Sequence, residues 1–102
     1  MKIVAITACT AGIAHTYLAK EKLLNAAKEL GHQCKVETQG SIGVEDELTA
    51  QEIAEADVVI LATDIRVSKD RFKDKPIVEI PVGLVVKSPK GVISQIASKL
   101  GK

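Results

Sequence analysis

The run Lys2-Ile3-Val4-Ala5-Ile6-Thr7-Ala8, followed at once by Cys9-Thr10-Ala11-Gly12-Ile13-Ala14-His15-Thr16, decides how this chain folds. Met1 to Ala8 is a near-continuous apolar stretch, the mark of a strand covered on both faces and therefore of a parallel sheet. The small residues after it lead into a helix expected from His15 to Leu30, with Ala19, Leu23, Ala26, Ala27 and Leu30 on one face and Gly31 as its stop. A strand, a tight loop and a helix in that order open an α/β fold.

The remainder of the chain repeats the alternation. Gln33 to Gln39 reads as a second strand, with Cys34, Val36 and Thr38 on one side and Lys35 and Glu37 on the other. Gly40 to Leu48 reads as a loop, and Thr49 with Glu52 forms a capping-box pattern that opens a short helix through Ala56. Val58-Val59-Ile60-Leu61-Ala62 is a third, central strand, and Pro76 to Pro81 a fourth, whose prolines suit the ends of an edge strand. Ser88 and Pro89 give a cap and a first-turn proline to a last helix, with Ile93, Ile96, Ala97 and Leu100 at helical spacing. Right-handed crossovers then give one α/β domain over residues 1–102. Its three layers hold a four-stranded parallel sheet of order 2-1-3-4 with helices on both faces.

Composition narrows the function. The chain has 102 residues, 46% of them hydrophobic and 26% charged, and its 14 basic and 13 acidic side chains leave a net charge of +1, which argues against disorder and against charge-driven nucleic-acid binding. Only Tyr17 and Phe72 are aromatic, too few for a stacking platform. No apolar run approaches the roughly 20 residues of a membrane span and no signal region is visible, so a cytoplasmic location is expected. Cys9 and Cys34 form no CxxC, the histidines His15 and His32 are poor metal ligands, and neither GxxxxGK[S/T] nor GxGxxG is present. No metal and no cofactor is expected.

In a sheet of this order, ligands bind beyond the carboxyl ends of the strands where strand order reverses, which places the Cys9 loop at the site. The open N–H groups of the loop and helix start hold an anion and favour a thiolate, which makes Cys9 a candidate nucleophile. Gly12 lets the backbone approach a ligand, Ala11 and Ala14 keep the rim small, and Thr10, His15 and Thr16 offer hydrogen-bonding groups. His15 fits a helix-start hydrogen bond as well as a catalytic role. Tyrosine-phosphatase-type loops read C-x5-R-[S/T], whereas this frame reads C-x5-H-T. Without the arginine clamp, the loop should hold a phosphoryl group better than it hydrolyses one. Arg66, Lys69 and Arg71 lie in a segment, Asp64 to Lys75, with a local basic excess that either steers phosphorylated partners or is a solvated loop. Cys34, mid-strand beside Val36 and Thr38, reads as a packing residue.

Ala8 to Tyr17 resembles the signature A-C-x-x-G-I-A-H-T-Y of the fructose-family IIB components of the bacterial phosphoenolpyruvate-dependent sugar phosphotransferase system. The similarity continues through E-T-Q-G-S-I-G (Glu37 to Gly43), A-D-V-V-I-L-A-T-D (Ala56 to Asp64) and K-D-R-F-K-D-K-P (Lys69 to Pro76). This resemblance implies that Cys9 is phosphorylated by a phosphohistidine of a IIA protein and passes the group to a sugar held by a membrane-embedded IIC permease. It also implies a phosphate cradle made by Thr10, Ala11, Gly12, Ile13, Ala14, His15 and Thr16. The chain would then meet the inner face of the membrane through IIC. Family members often carry C-P-T-G where this chain has Cys9-Thr10-Ala11-Gly12, a departure that leaves the loop less preset and removes one hydroxyl. Two other readings stay open: a stand-alone thiol phosphatase or arsenate-reductase-like enzyme, and a regulatory protein that reports sugar supply through the phosphorylation of Cys9.

Overall fold

The structure, a computed structural model, describes residues 2–8, 13–40, 43–63, 70–72 and 75–100. Strands β1 (Lys2–Ala8), β2 (Gln33–Gly40), β3 (Gly43–Glu45), β4 (Val58–Thr63) and β5 (Ile77–Ile80) form one sheet of order β3-β2-β1-β4-β5. The pairs β1·β2, β1·β4 and β4·β5 are parallel, so the four long strands have the expected order 2-1-3-4. Helices α1 (Ile13–Glu29), α2 (Ala50–Glu55), α3 (Val82–Lys87) and α4 (Pro89–Leu100) accompany them, with a 3-10 turn at Asp70–Phe72.

Two elements correct the sequence reading. The stretch expected to be all loop after Gly40 contains β3, which pairs antiparallel with β2 through Gly40↔Gly43, Gln39↔Val44 and Thr38↔Glu45. A three-residue strand starting on glycine is too short to show alternation, and Val44, its one large apolar side chain, is exposed. Residues 82–87 carry no helical signature in the sequence, being valine-rich with a glycine, yet they form α3 because Val82 and Val85, three apart, both reach the core. Tertiary burial outweighs their weak helix propensity.

Alternate residues of the central strands feed two separate cores. Ile3, Ala5, Val58, Ile60 and Ala62 meet Ala19, Leu23, Ala26 and Ala27 of α1, together with buried valines and isoleucines of α3 and α4. Val4, Ile6, Ala8, Val59 and Leu61 meet Leu48, Ile53, Ala56 and Phe72 on the opposite face. Helices thus cover both faces.

The ends of the elements are fixed by local chemistry. Gly31, at φ +81°, ends α1 in a Schellman motif, with Gly31 N–H donating to Lys28 O (3.2 Å) and His32 N–H to Ala27 O (2.8 Å). The capping box of α2 is complete: Glu52 N–H donates to Thr49 Oγ1 (3.1 Å) and Thr49 N–H to Glu52 Oε1 (2.8 Å). At the other end of α2, Lys75 Nζ donates to the carbonyls of Ala54 (2.7 Å) and Ala56 (2.9 Å). The amino ends of β1 and β4 are joined by Lys2 N–H to Asp57 Oδ2 (2.8 Å) and Asp57 N–H to Lys2 O (2.7 Å).

Candidate functional site

The carboxyl ends of β2, β1 and β4 finish level: Ala8 of β1 is in register with Gln39 of β2 and Thr63 of β4. From Ala8 the chain passes through residues 9–12 to Ile13, where α1 begins. The first-turn N–H groups of a helix have no acceptor within it, so this 17-residue helix brings such donors and the positive end of its dipole to the carboxyl edge of the sheet. Cys9, Thr10, Ala11 and Gly12 lie outside the described residues. Ile13, Ala14 and His15 are placed by their backbone as the opening of α1.

Thr16, the last residue of the expected cradle, is buried in α1. On the same face of the sheet, Thr38, Thr7 and Ala62 form a register row across β2, β1 and β4, one step short of the strand ends. Thr7 and Thr38 are buried, and the hydroxyls of Thr7 and Thr16 find no hydrogen-bond partner among the described residues. Burying a hydroxyl without a partner costs about 1–3 kcal/mol. Sequence patterning missed Thr7, because one hydroxyl in an apolar run reads simply as strand.

The opposite face holds a buried polar group that is fully engaged. Glu37 has a side chain only 1% exposed, although alternation along β2 sets it with Lys35 on the side away from Cys34 and Val36. Arg71 of the 3-10 turn grips it with both ends of its fork, Nη1 donating to Oε1 (3.0 Å) and Nη2 to Oε2 (2.9 Å). Gln39 Nε2 donates to Oε2 (2.6 Å) and Leu48 N–H to Oε1 (2.9 Å). Burial alone would push this carboxyl up. The Arg71 guanidinium, Gln39 and the Leu48 N–H outweigh that and hold it below the usual carboxylate range. The Arg71 guanidinium also lies 5.2 Å from the Phe72 ring centroid. Of the three basic residues considered for docking, Arg66 and Lys69 lie outside the described residues, while Arg71 is held in this pair. No spacing rule could have found Glu37 and Arg71, which stand in different motifs far apart in the chain.

Cys34 lies toward the amino end of the sheet, in register with Ile3 and packed against the α1 core. Burial pushes its thiol up to about 12, so it stays neutral and unreactive at physiological pH. Ala8, which precedes Cys9 in the chain, and Cys34 thus stand toward opposite ends of the β1·β2 pair. No helix among the described residues is long and apolar enough to cross a membrane.

Comparison with known proteins fits this arrangement. The family model for the "PTS system, Lactose/Cellobiose specific IIB subunit" matches residues 4–95. The "PTS system fructose-like EIIB component 2" of Escherichia coli strain K12 is 49% identical over 102 residues, covering 99% of this chain and 96% of that protein. The "PTS system fructose-specific EIIABC component" of Bacillus subtilis strain 168 is 47% identical over 94 residues, which are 92% of this chain and 15% of that longer protein. A solution structure of an Enzyme IIB subunit of the PTS system from Escherichia coli K12 superimposes with a TM-score of 0.91 at 37% identity, covering 98% of this chain and 94% of that one. With its fold, strand order and sequence all in agreement, this chain belongs to the IIB family of the sugar phosphotransferase system, in its fructose-like branch.

Proposed function

We infer that this IIB protein is a phosphoryl carrier in which Cys9 is the nucleophile. The observation that carries the reading is the placement of residue 9 in the chain, directly after the carboxyl end of central strand β1 and just before the start of α1. In the first step the Cys9 thiolate attacks the phosphorus of a phosphohistidine on IIA. A sulfur–phosphorus bond forms, the nitrogen–phosphorus bond breaks and the histidine leaves. In the second, a hydroxyl of fructose or a related hexose held by IIC attacks the same phosphorus. The sulfur–phosphorus bond breaks, the thiolate is regenerated and the hydroxyl proton is released.

The cradle is the backbone from Thr10 to Thr16, with His15 and Thr16 as hydrogen-bond donors. The buried hydroxyl of Thr16, which has no partner among the described residues, supports that role, since a phosphoryl oxygen would give it one. The absence of an arginine at position 15 favours holding the group over hydrolysing it. The EIIABC name of the Bacillus subtilis relative supports IIA and IIC as partners. A protein that works between them would sit in the cytoplasm against the inner face of the membrane. The test is sugar-phosphate formation in a reconstituted system of phosphoenolpyruvate, the general phosphotransferase proteins, a fructose-type IIA and membranes carrying IIC. Wild type should support it and Cys9→Ser should not. Turnover of an aryl phosphate by this chain alone would point instead to a thiol phosphatase.

A further inference from the structure

We propose that the outward side of α3 and α4 is a docking face for an anionic lipid surface, on which this protein rests peripherally beside IIC. The proposal deepens the reading above, in which a IIC permease brings the chain to the inner face of the membrane, and it uses none of the residues assigned to phosphoryl transfer. It starts from the distribution of charge. From Pro81 to Lys102 the chain carries four lysines, Lys87, Lys90, Lys99 and Lys102, and no acidic residue. All 13 acidic side chains therefore lie between Met1 and Ile80, against the other ten of the 14 basic ones. A chain of net charge +1 thus divides into a last segment of +4 and a remainder of −3.

The fold turns that division along the chain into a division in space. Helices α3 and α4 cover the sheet on the α1 side, burying Val82, Val85, Val92, Ile93 and Ile96 in the core they share with α1. Helix α2, with the carboxylates Glu52 and Glu55, belongs to the core on the opposite face. Glu79, the last acid before the basic segment, alternates along β5 with Val78 and Ile80, which pack against the α1-side core, and so stands on the other side.

What α3 and α4 turn outward is basic, neutral and apolar. Leu84 is 43% exposed, and Lys87, three residues on, shares its side of α3. With Val92, Ile93, Ile96 and Ala97 turned in, the outer strip of α4 is Gly91, Ser94, Gln95 and Ser98, and helical spacing sets Lys90 and Lys99 at its two margins. Lys90 pairs with Glu29 of α1 (2.5 Å), an exposed pair that contributes little, while Lys87 and Lys99 have no acidic partner among the described residues.

A strip without bulk or negative charge lets both helices lie close to a flat surface. Lysines at its margins reach headgroup phosphates on flexible stems, and an exposed leucine enters the acyl boundary. The composition favours lipid over a protein or nucleic-acid partner. Pro81 to Lys102 holds no arginine and no aromatic residue, the side chains that anchor protein interfaces and stack on bases.

The chain has no tryptophan, so Leu84→Trp places a single fluorescent reporter on the proposed face. Val44→Trp, at another exposed apolar residue on edge strand β3, across the sheet from β5, is the control. Each is titrated with vesicles of equal parts phosphatidylglycerol and phosphatidylcholine and with phosphatidylcholine alone, at low and high salt. Leu84→Trp is also titrated in the Lys87→Gln/Lys99→Gln background and, without lipid, with a phosphorylated fructose-type IIA. The expected result is a blue shift of Leu84→Trp on the anionic vesicles only, reversed by salt, with none at Val44→Trp. Vesicle affinity should fall about fivefold for each lysine removed. No shift, an equal shift on neutral vesicles or at position 44, or an affinity indifferent to both lysines would overturn the proposal. A shift with IIA and none with vesicles would overturn it too, by giving the face to a protein. No phosphoryl donor enters the vesicle titration, so its failure leaves the Cys9 reading standing, and failure of that reading shows in sugar-phosphate formation instead.

Discussion

Two buried polar groups lie on opposite faces of the sheet, both close to the carboxyl end of β1, and they have opposite fates. On the α2 face, Glu37 accepts hydrogen bonds from Arg71, Gln39 and Leu48. On the α1 face, the hydroxyls of Thr7 and Thr16 find no partner among the described residues. The first group is built to hold the fold still, whereas no described residue offsets the burial of the second, at the place where the strand hands over to the helix. A saturated polar group marks an anchor, and a buried hydroxyl that no described residue engages is the kind of group a ligand can satisfy.

The contrast breaks most visibly at Arg71. Removing it alone, as Arg71→Ala, leaves the buried Glu37 carboxylate with only Gln39 and the Leu48 N–H as partners and should lower the unfolding free energy by about 1–3 kcal/mol, measured by urea denaturation. The neutral double variant Glu37→Gln/Arg71→Gln should recover most of that loss. Acidification acts on the same pair more gently. Glu37 ionises in the folded protein below its ordinary range, so the stability it contributes is complete above an unfolded carboxylate pKa of about 4.3 and is lost as pH falls through the lower folded value. The urea midpoint should stay flat from neutrality to about pH 5 and fall below about pH 4, with a shallower fall in the double variant. Asp46, Glu52 and Glu55, each lowered by a lysine partner, leave it some residual slope.

A cap outside both regions sets the scale. Thr49→Ala removes half of the α2 capping box and should cost about 1 kcal/mol by the same denaturation assay. The smallest effect belongs to Thr7→Val, which replaces a buried hydroxyl without a partner among the described residues by a methyl group of nearly the same size. Its stability should match wild type or exceed it by up to about 1 kcal/mol, and a loss of that size would show that the hydroxyl is satisfied in the folded protein.

The sheet was legible because its central strands are apolar runs and its helices carry apolar residues at helical spacing. Parallel order followed from handedness and from strands covered on both faces. What escaped was short or distant. The strand β3 is glycine at its first position and too brief for alternation, and α3 is a valine-rich turn whose helical state depends on burying Val82 and Val85. Alternation along β2 separated Glu37 from Val36 and said nothing of the Arg71 that would meet it, because that contact exists only after β2 and the 3-10 turn come together. The place of the switch point, by contrast, was readable from strand order alone, since it lies where β1 ends, and Cys9 is the next residue in the chain. The resemblance of Ala8 to Tyr17 added the chemistry that position cannot name.

The central claim, that a single cysteine of this chain carries the phosphoryl group, is tested most directly by intact-mass measurement of wild type, Cys34→Ser and Cys9→Ser after incubation with phosphoenolpyruvate, the general phosphotransferase proteins and a fructose-type IIA. One phosphoryl adduct on wild type and on Cys34→Ser, with none on Cys9→Ser, is the expected result, given that burial keeps the Cys34 thiol neutral. An adduct that persists in Cys9→Ser, or that disappears with Cys34, would contradict it.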